Sequence, residues 1–253
     1  MKKALIYTVV FLAIQLVAGA AVQTVWTLIK GNGAQLDATG VTIMMAVVSI
    51  LTLCMFFYER WAEVSPHWIR TRPWLVLFWC VLAAIGVIIP SSWFQEMLPE
   101  LPNWAENDFD MILRSRIGYF VVGLMAPLAE EVVFRGAVLR ALLRWNSRPW
   151  GAIALSALLF SAAHMNPAQF PHTFLVGLLL GWLYYRTDSI IPGIVYHWVN
   201  NTIAYVLYNL YPNPDIKLLD LFGGNERTML MAIAFSLCIL LPSLYQLHLN
   251  MKK

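Results

Sequence analysis

The sequence predicts an all-α, polytopic integral membrane protein with about eight transmembrane helices. Hydrophobic residues make up 60% of the 253 residues and charged residues only 12%, whereas a soluble domain carries about 25% charged residues. The apolar residues form long continuous runs, which are typical of transmembrane helices. No hydrophilic block is large enough for a second domain. We therefore expect residues 1–253 to form a single membrane domain.

Eight apolar runs are separated by short polar segments. Pro90 is expected to end the third run, and a longer acidic loop, 91–116, follows it. Two runs are short for a hydrocarbon core about 30 Å thick, namely 150–165 and 172–185. In chain order the runs are 4–29, 41–58, 74–89, 117–144, 150–165, 172–185, 190–211 and 228–249.

The first run has an alternative interpretation as a cleaved signal peptide. Lys2 and Lys3 precede it, and Ala18-Gly19-Ala20 resembles a cleavage site. We favour a retained helix, because the apolar run continues well beyond that site.

The loop charges predict that both termini lie in the cytoplasm. With that orientation 11 basic residues lie inside and 5 outside, and Arg135 lies within the fourth run. Lysine and arginine concentrate on the cytoplasmic side of membrane proteins. The inner set is Lys2, Lys3, Arg60, Arg70, Arg72, Arg140, Arg144, Arg148, Arg186, Lys252 and Lys253, and the outer set is Lys30, Arg114, Arg116, Lys217 and Arg227. This pattern favours a multi-pass membrane protein, and we expect the bacterial cytoplasmic membrane as its location.

The net charge of +3 gives no reason to expect a nucleic-acid partner, because the basic residues do not form one cluster. The three cysteines each lie inside an apolar run, where they are expected to pack as small apolar residues rather than to form disulfides. The bilayer is an expected partner.

The fourth run carries Glu130, Glu131 and Arg135 in its middle. A charged side chain in hydrocarbon is destabilising by about 2.5–3.5 kcal/mol or more. Glu131 and Arg135 are four residues apart, so they can form a structural ion pair along one helix. Glu130 lies about 100° around the helix from Glu131 and has no local partner. An ionisable residue of this kind indicates a functional site.

His164, His197 and Asn201 are the other polar residues of interest within the runs. His197 and Asn201 are four residues apart and share a helix face. Each also has a purely structural interpretation: His164 as an interfacial residue, and His197 with Asn201 as a contact between helices. Asn200 is an equally close structural candidate. A carboxylate, two imidazoles and a carboxamide on three neighbouring runs are a stronger indication of a site than any one alone.

This set of groups suits the hydrolysis of an amide. The sequence contains no His-Glu-x-x-His zinc motif, and no serine or cysteine in a recognisable nucleophile motif. A carboxylate in an apolar environment can act as a general base on water. An imidazole N–H and an asparagine amide on one helix face can stabilise the resulting oxyanion.

Three motifs in order resemble the CAAX-processing and bacteriocin-processing (CPBP, Abi) intramembrane proteases. They are Glu130-Glu131-x-x-x-Arg135, Phe160-x-x-x-His164 and His197-x-x-x-Asn201. The resemblance covers about 123–202, within a core of about 117–211. It implies a glutamic-type endopeptidase with eight helices and a cavity open to the cytoplasm. The expected substrate is a peptide or a membrane protein.

The resemblance also implies a role for each site residue. Glu130 activates water with help from His164, and His197 and Asn201 form the oxyanion hole. Glu131, Arg135 and Phe160 hold the site together. No cofactor is expected.

Three questions stay open on the sequence. Zinc held by Glu130, His164 and His197 is a minority alternative. A protein that confers bacteriocin immunity or acts as a scaffold without catalysis is the main functional alternative, and a proton-coupled transporter is a weaker one.

Counted along the runs from the cytoplasmic side, Glu130 and His164 lie about 20 Å deep and His197 about 10 Å deep. A shared site therefore requires that the seventh helix starts deeper or that the helices tilt.

Overall fold

The structure, a computed structural model, describes residues 1–31, 33–65, 74–145, 147–211, 213 and 216–251. Within these ranges the regular elements are helices, and no strand occurs. Arg70, Arg72, Lys252 and Lys253, which entered the charge count, lie outside the described residues. The helices are α1 (Lys2–Lys30), α2 (Ala38–Tyr58), α3 (Trp74–Glu96), α4 (Glu106–Leu113), α5 (Ile117–Trp145), α6 (Pro149–Ala163), α7 (Phe170–Thr187), α8 (Ile191–Leu210), α9 (Leu218–Leu221) and α10 (Glu226–Asn250).

The all-helical membrane class is confirmed. Five of the described helices are long and apolar enough to cross a membrane, namely α1, α2, α3, α5 and α10, and α6 is a shorter apolar helix. Each of the eight predicted runs coincides with one long helix to within a few residues, except at the end of α3. The count of eight membrane crossings and the orientation of the termini remain predictions.

The expected end of the third helix at Pro90 is wrong. Helix α3 continues through Pro90 to Glu96. Proline is tolerated inside apolar helices because neighbouring groups satisfy the backbone that it frees. The segment 91–116 is correspondingly less of a loop than expected, since it contains the end of α3 and the short helix α4.

Helix α5 is the centre of the fold. Of the most apolar stretch of α5, 56% is buried inside the molecule, against 17% to 33% for the corresponding stretches of the other four long apolar helices. It packs against α1, α2, α6, α7 and α8. Side chains on α5 therefore meet other protein groups rather than lipid, which is what its charged residues require.

Helix α5 is not a regular α-helix. The segment Ala126–Glu131 is α-helical and is flanked by two π-helical segments, Phe120–Met125 and Val132–Leu139. In the first of these the N–H of Ala126 bonds to Val121. The next donor in that pattern would be Pro127, which has no N–H. The carbonyl of Val122 is thus left for another partner. π-Helical turns often occur at functional sites.

Helices α3, α8 and α10 pack together on another side of the molecule. A methyl group on Gly86 of α3 would lie 2.7 Å from the backbone nitrogen of Leu240 on α10. Glycine at this position therefore permits the close approach of the two helices.

Candidate active site

Glu130 and Glu131 stand side by side in the α-helical segment of α5 but occupy different environments. The side chain of Glu130 is 19% exposed, and that of Glu131 is fully buried. Glu130 lines two cavities. Glu130 is therefore the carboxylate that water can reach.

Glu131 and Arg135 form a buried ion pair, with Arg135 Nη1 2.8 Å from Glu131 Oε1. Arg135 also donates from Nη2 to the carbonyl of Gly177, at 3.3 Å. A methyl group on Gly193 of α8 would collide with Glu131 Oε2. Helices α7 and α8 thus both approach this pair closely, and Gly193 permits the approach of α8.

His197 on α8 lies between the two carboxylates. Its Nε2 is 3.7 Å from Glu130 Oε2, and its Nδ1 is 3.4 Å from Glu131 Oε1. Helix α8 starts at Ile191, only one residue from the predicted start. His197 contacts Glu130 although α8 starts where predicted. The relative positions of α5 and α8, and not a later start of α8, therefore account for the contact.

His164 follows the last residue of α6, and its ring is partly exposed. Its Nδ1 lies 2.9 Å from the carbonyl oxygen of Phe160. A carbonyl oxygen only accepts hydrogen bonds, so Nδ1 must carry the proton. In the neutral ring Nε2 then has a free lone pair and can accept a proton.

The ring of Phe160 packs between the polar groups of the site. It is 1% exposed, and its centroid lies 4.4 Å from the guanidinium carbon of Arg135, 4.8 Å from the ring of His164 and 6.0 Å from the ring of His197. The contact with Arg135 has cation–π geometry. Phe160 thus contacts three of the predicted site residues at once.

Asn201 donates a hydrogen bond from Nδ2 to the carbonyl of Val122, at 3.0 Å. This is the carbonyl that Pro127 leaves free. The bond uses one of the two amide hydrogens of Asn201, so the other is available to a ligand. Asn200 is 5% exposed, and its Oδ1 has no hydrogen-bond partner among the described residues.

One cavity of about 740 Å³ brings the predicted site residues together. Its wall includes Glu130, Phe160, His164, His197 and Asn201, whereas Glu131 and Arg135 lie behind it. Cavities of about 300–1,000 Å³ are typical of ligand sites. The space beside Glu130 is thus large enough for water and a stretch of peptide.

Sequence reasoning missed several residues of the cavity. His172 on α7 lines it, as do Gln15 on α1 and Met45 on α2. A signal existed for His172, because three of the five histidines fall between positions 164 and 197. Helices α1 and α2 carry no recognisable motif, so their contribution could not be read from the sequence.

The cavity extends toward the segment 95–113, where Gln95, Asn103, Glu106 and Asp110 line it. The loop charges predict that this segment lies outside the cytoplasm, whereas the family resemblance implies a cavity open to the cytoplasm.

The minority alternative of a zinc site receives no support from the geometry. Among the residues that the structure describes, no three His, Cys, Asp or Glu side chains are grouped so that they could hold one metal ion. This includes Glu130, His164 and His197.

The fold and the site define an all-helical membrane protein whose carboxylate, imidazole and amide groups surround an internal cavity. Residues 113–203 match the family model described as "Type II CAAX prenyl endopeptidase Rce1-like". The match includes all seven predicted site residues and confirms the resemblance to CAAX-processing proteases. It supports a CAAX protease-type hydrolase in a membrane, with a peptide substrate. No curated protein and no solved structure matches the chain.

Proposed function

We propose that the protein is an intramembrane endopeptidase in which Glu130 activates water to hydrolyse a peptide bond. The observation that carries the proposal is the position of Glu130, which is partly exposed in a cavity and lies 3.7 Å from His197. His164 and Asn201 line the same cavity. Two groups that act on one peptide bond must lie within about 10 Å of each other, and Glu130 and His197 do so.

The reaction begins with a water molecule near Glu130 and the free Nε2 of His164. The carboxylate of Glu130 takes one proton, and the water oxygen forms a bond to the substrate carbonyl carbon. The carbonyl oxygen becomes an oxyanion. As the carbon–nitrogen bond breaks, the proton passes to the leaving amine, and the products are a carboxylic acid and an amine.

His197 and Asn201 stabilise the oxyanion in this proposal. A ring N–H of His197, which lies beside Glu130, and the second amide hydrogen of Asn201 supply two donors. Removing one such donor slows catalysis by about 10²–10³-fold in other enzymes.

Glu131 and Arg135 are positioning residues in this proposal. Glu131 contacts His197, and Arg135 contacts Glu131 and the ring of Phe160. Removing one partner of a buried ion pair leaves an uncompensated charge. The pair therefore fixes the orientation of His197 rather than reacting itself.

The proposal includes eight membrane crossings in a bacterial cytoplasmic membrane, with both termini in the cytoplasm. The cavity then faces the opposite side, and substrate enters from outside the cytoplasm. Labelling with a membrane-impermeant maleimide in intact cells tests this orientation. In a cysteine-free background Asn107→Cys, at the cavity, should be labelled, and Ser147→Cys, between α5 and α6, should not. The reverse labelling would place the cavity on the cytoplasmic side.

The cavity wall favours a peptide segment over a CAAX terminus as substrate. No lysine or arginine lines it within the described chain, whereas Glu106, Asp110 and Glu130 do. A free C-terminal carboxylate would therefore meet no permanently positive side chain. Cleavage within a longer membrane-associated peptide suits this wall better.

A comparison of membrane proteomes tests the activity. Cells with the wild-type protein should contain new C-termini that are absent from cells with Glu130→Gln at equal protein level. A matched control is Glu106→Gln, which changes a carboxylate at the far end of the cavity and should keep these termini. Identical termini in all three strains would contradict a peptidase. Immunity or scaffolding retained in full by Glu130→Ala and His164→Ala would then favour the non-catalytic alternative.

A further inference from the structure

A second, smaller cavity adjoins the candidate active site. It has a volume of about 190 Å³ and lies between α1, α2 and α5. Glu130, Gln15, Met45 and Ala126 line both cavities. Whatever occupies the smaller cavity therefore lies directly beside the carboxylate that we assign as the base.

The wall of the smaller cavity is mostly apolar. Phe11 projects from α1, and Met44, Met45 and Val48 project from α2. Methionine is flexible and adapts to ligands of different shape. A wall of this kind favours an aliphatic or aromatic group over a charged one.

The size of the smaller cavity limits its occupant. Pockets for drug-sized ligands measure about 300–1,000 Å³, so 190 Å³ suits one large side chain better than a long isoprenoid. The cavity therefore gives no separate support to a prenylated substrate.

We infer that the smaller cavity is a specificity pocket that receives one large apolar side chain of the substrate, next to the bond that Glu130 attacks. This inference rests on the proposed peptidase function and names the residue class that the enzyme selects.

Internally quenched peptides test the pocket with the full-length protein in vesicles of phosphatidylethanolamine and phosphatidylglycerol. The peptides carry Ala, Leu, Phe or Asp at each position in turn, and mass spectrometry locates the cleaved bond. At one position beside that bond, Leu and Phe should give a kcat/KM about 10–200-fold above that of Ala, the range for apolar pockets.

Two variants of α2 sharpen the test. Val48→Phe fills the pocket, so it should abolish the preference for Leu and Phe over Ala. Leu51→Phe is the matched control, because Leu51 is 47% exposed on the outer surface of the same helix, and it should keep the preference.

A binding measurement separates the pocket from the activity. A peptide with a photoreactive leucine at the selected position should crosslink to Met44 or Met45, and Val48→Phe should prevent it. Crosslinking without cleavage would overturn the peptidase and keep the pocket. Cleavage with no preference, or with crosslinks elsewhere or to added lipid only, would overturn the pocket and keep the peptidase. Neither crosslinking nor cleavage would overturn both.

Discussion

Glu130 and Glu131 are adjacent in the chain, yet one faces a cavity and the other is sealed in the protein. Glu131 has Arg135 at 2.8 Å, His197 at 3.4 Å and the backbone of Gly193 against it. Glu130 has His197 at 3.7 Å and lines two cavities. A rotation of about 100° between successive residues of a helix is enough to separate the two environments.

The comparison shows how one short helical segment can carry two unlike carboxylates. The positive charge of Arg135 balances the negative charge of the buried Glu131, so this carboxylate can stay ionised without water. The partly exposed one has no such partner and keeps access to solvent. We therefore expect substitutions of the two residues to differ in kind, with activity lost at Glu130 and the fold weakened around Glu131.

Glu130→Gln has the largest expected effect. It keeps the shape of the side chain but removes its ability to take a proton. We expect peptide cleavage to fall about 10²–10⁴-fold, the usual contribution of a general base, with an unchanged melting temperature. Cleavage assays in vesicles, together with thermal unfolding in detergent, measure both. Cleavage at the wild-type rate would show that Glu130 is not the base.

Arg135→Met should weaken the fold more than any other change near the site. It leaves Glu131 buried without its ion-pair partner, which is destabilising by about 3–5 kcal/mol. The free energy of unfolding in a denaturing detergent measures the effect. The double variant Glu131→Gln with Arg135→Met is the control, and it should recover part of the loss because no unpaired charge remains. Equal stability of Arg135→Met and wild type would refute the structural role of the pair.

Gly193→Ala should have an intermediate effect on both properties. The added methyl group collides with Glu131 Oε2, and overpacking of this kind is destabilising by about 1–3 kcal/mol. Because Glu131 contacts His197, kcat should fall as well. Gly19→Ala is a matched control, since its methyl group would make only an ordinary contact, at 3.5 Å from Met44. Similar results for the two variants would contradict a special role of Gly193.

Asp110→Asn should have the smallest effect, and it should depend on pH. Arg114, and after it Tyr208, hydrogen-bond to Asp110 and hold the pKa of that carboxyl below its ordinary value of 3.8. A lowered pKa in the folded state stabilises the protein above pH 3.8, and this contribution is lost as the pH falls through the folded-state pKa. The variant should thus be slightly less stable at pH 7, and the difference should disappear in acid. A constant difference at every pH would contradict this assignment.

The sequence was sufficient to predict the long helices, the ion pair between Glu131 and Arg135 and the set of polar groups around Glu130. Long apolar runs and the four-residue spacing of charges are local signals. The continuation of α3 through Pro90 was missed because tertiary packing can override the local effect of proline. The bond from Asn201 to Val122 could not be predicted either, because it depends on π-helical turns and on a contact between distant helices. His172, Met45 and Thr52 line the cavities through packing alone.

The short helix α6 has a consequence for the membrane around the site. Its 15 residues rise only about 22 Å, less than the hydrocarbon thickness of about 30 Å. In the proposed arrangement of eight crossings, a bilayer adapts to this short helix by thinning locally. Such a depression would bring the lipid headgroups closer to His164, and a substrate of the proposed peptidase would reach the site with less of its length passing through hydrocarbon.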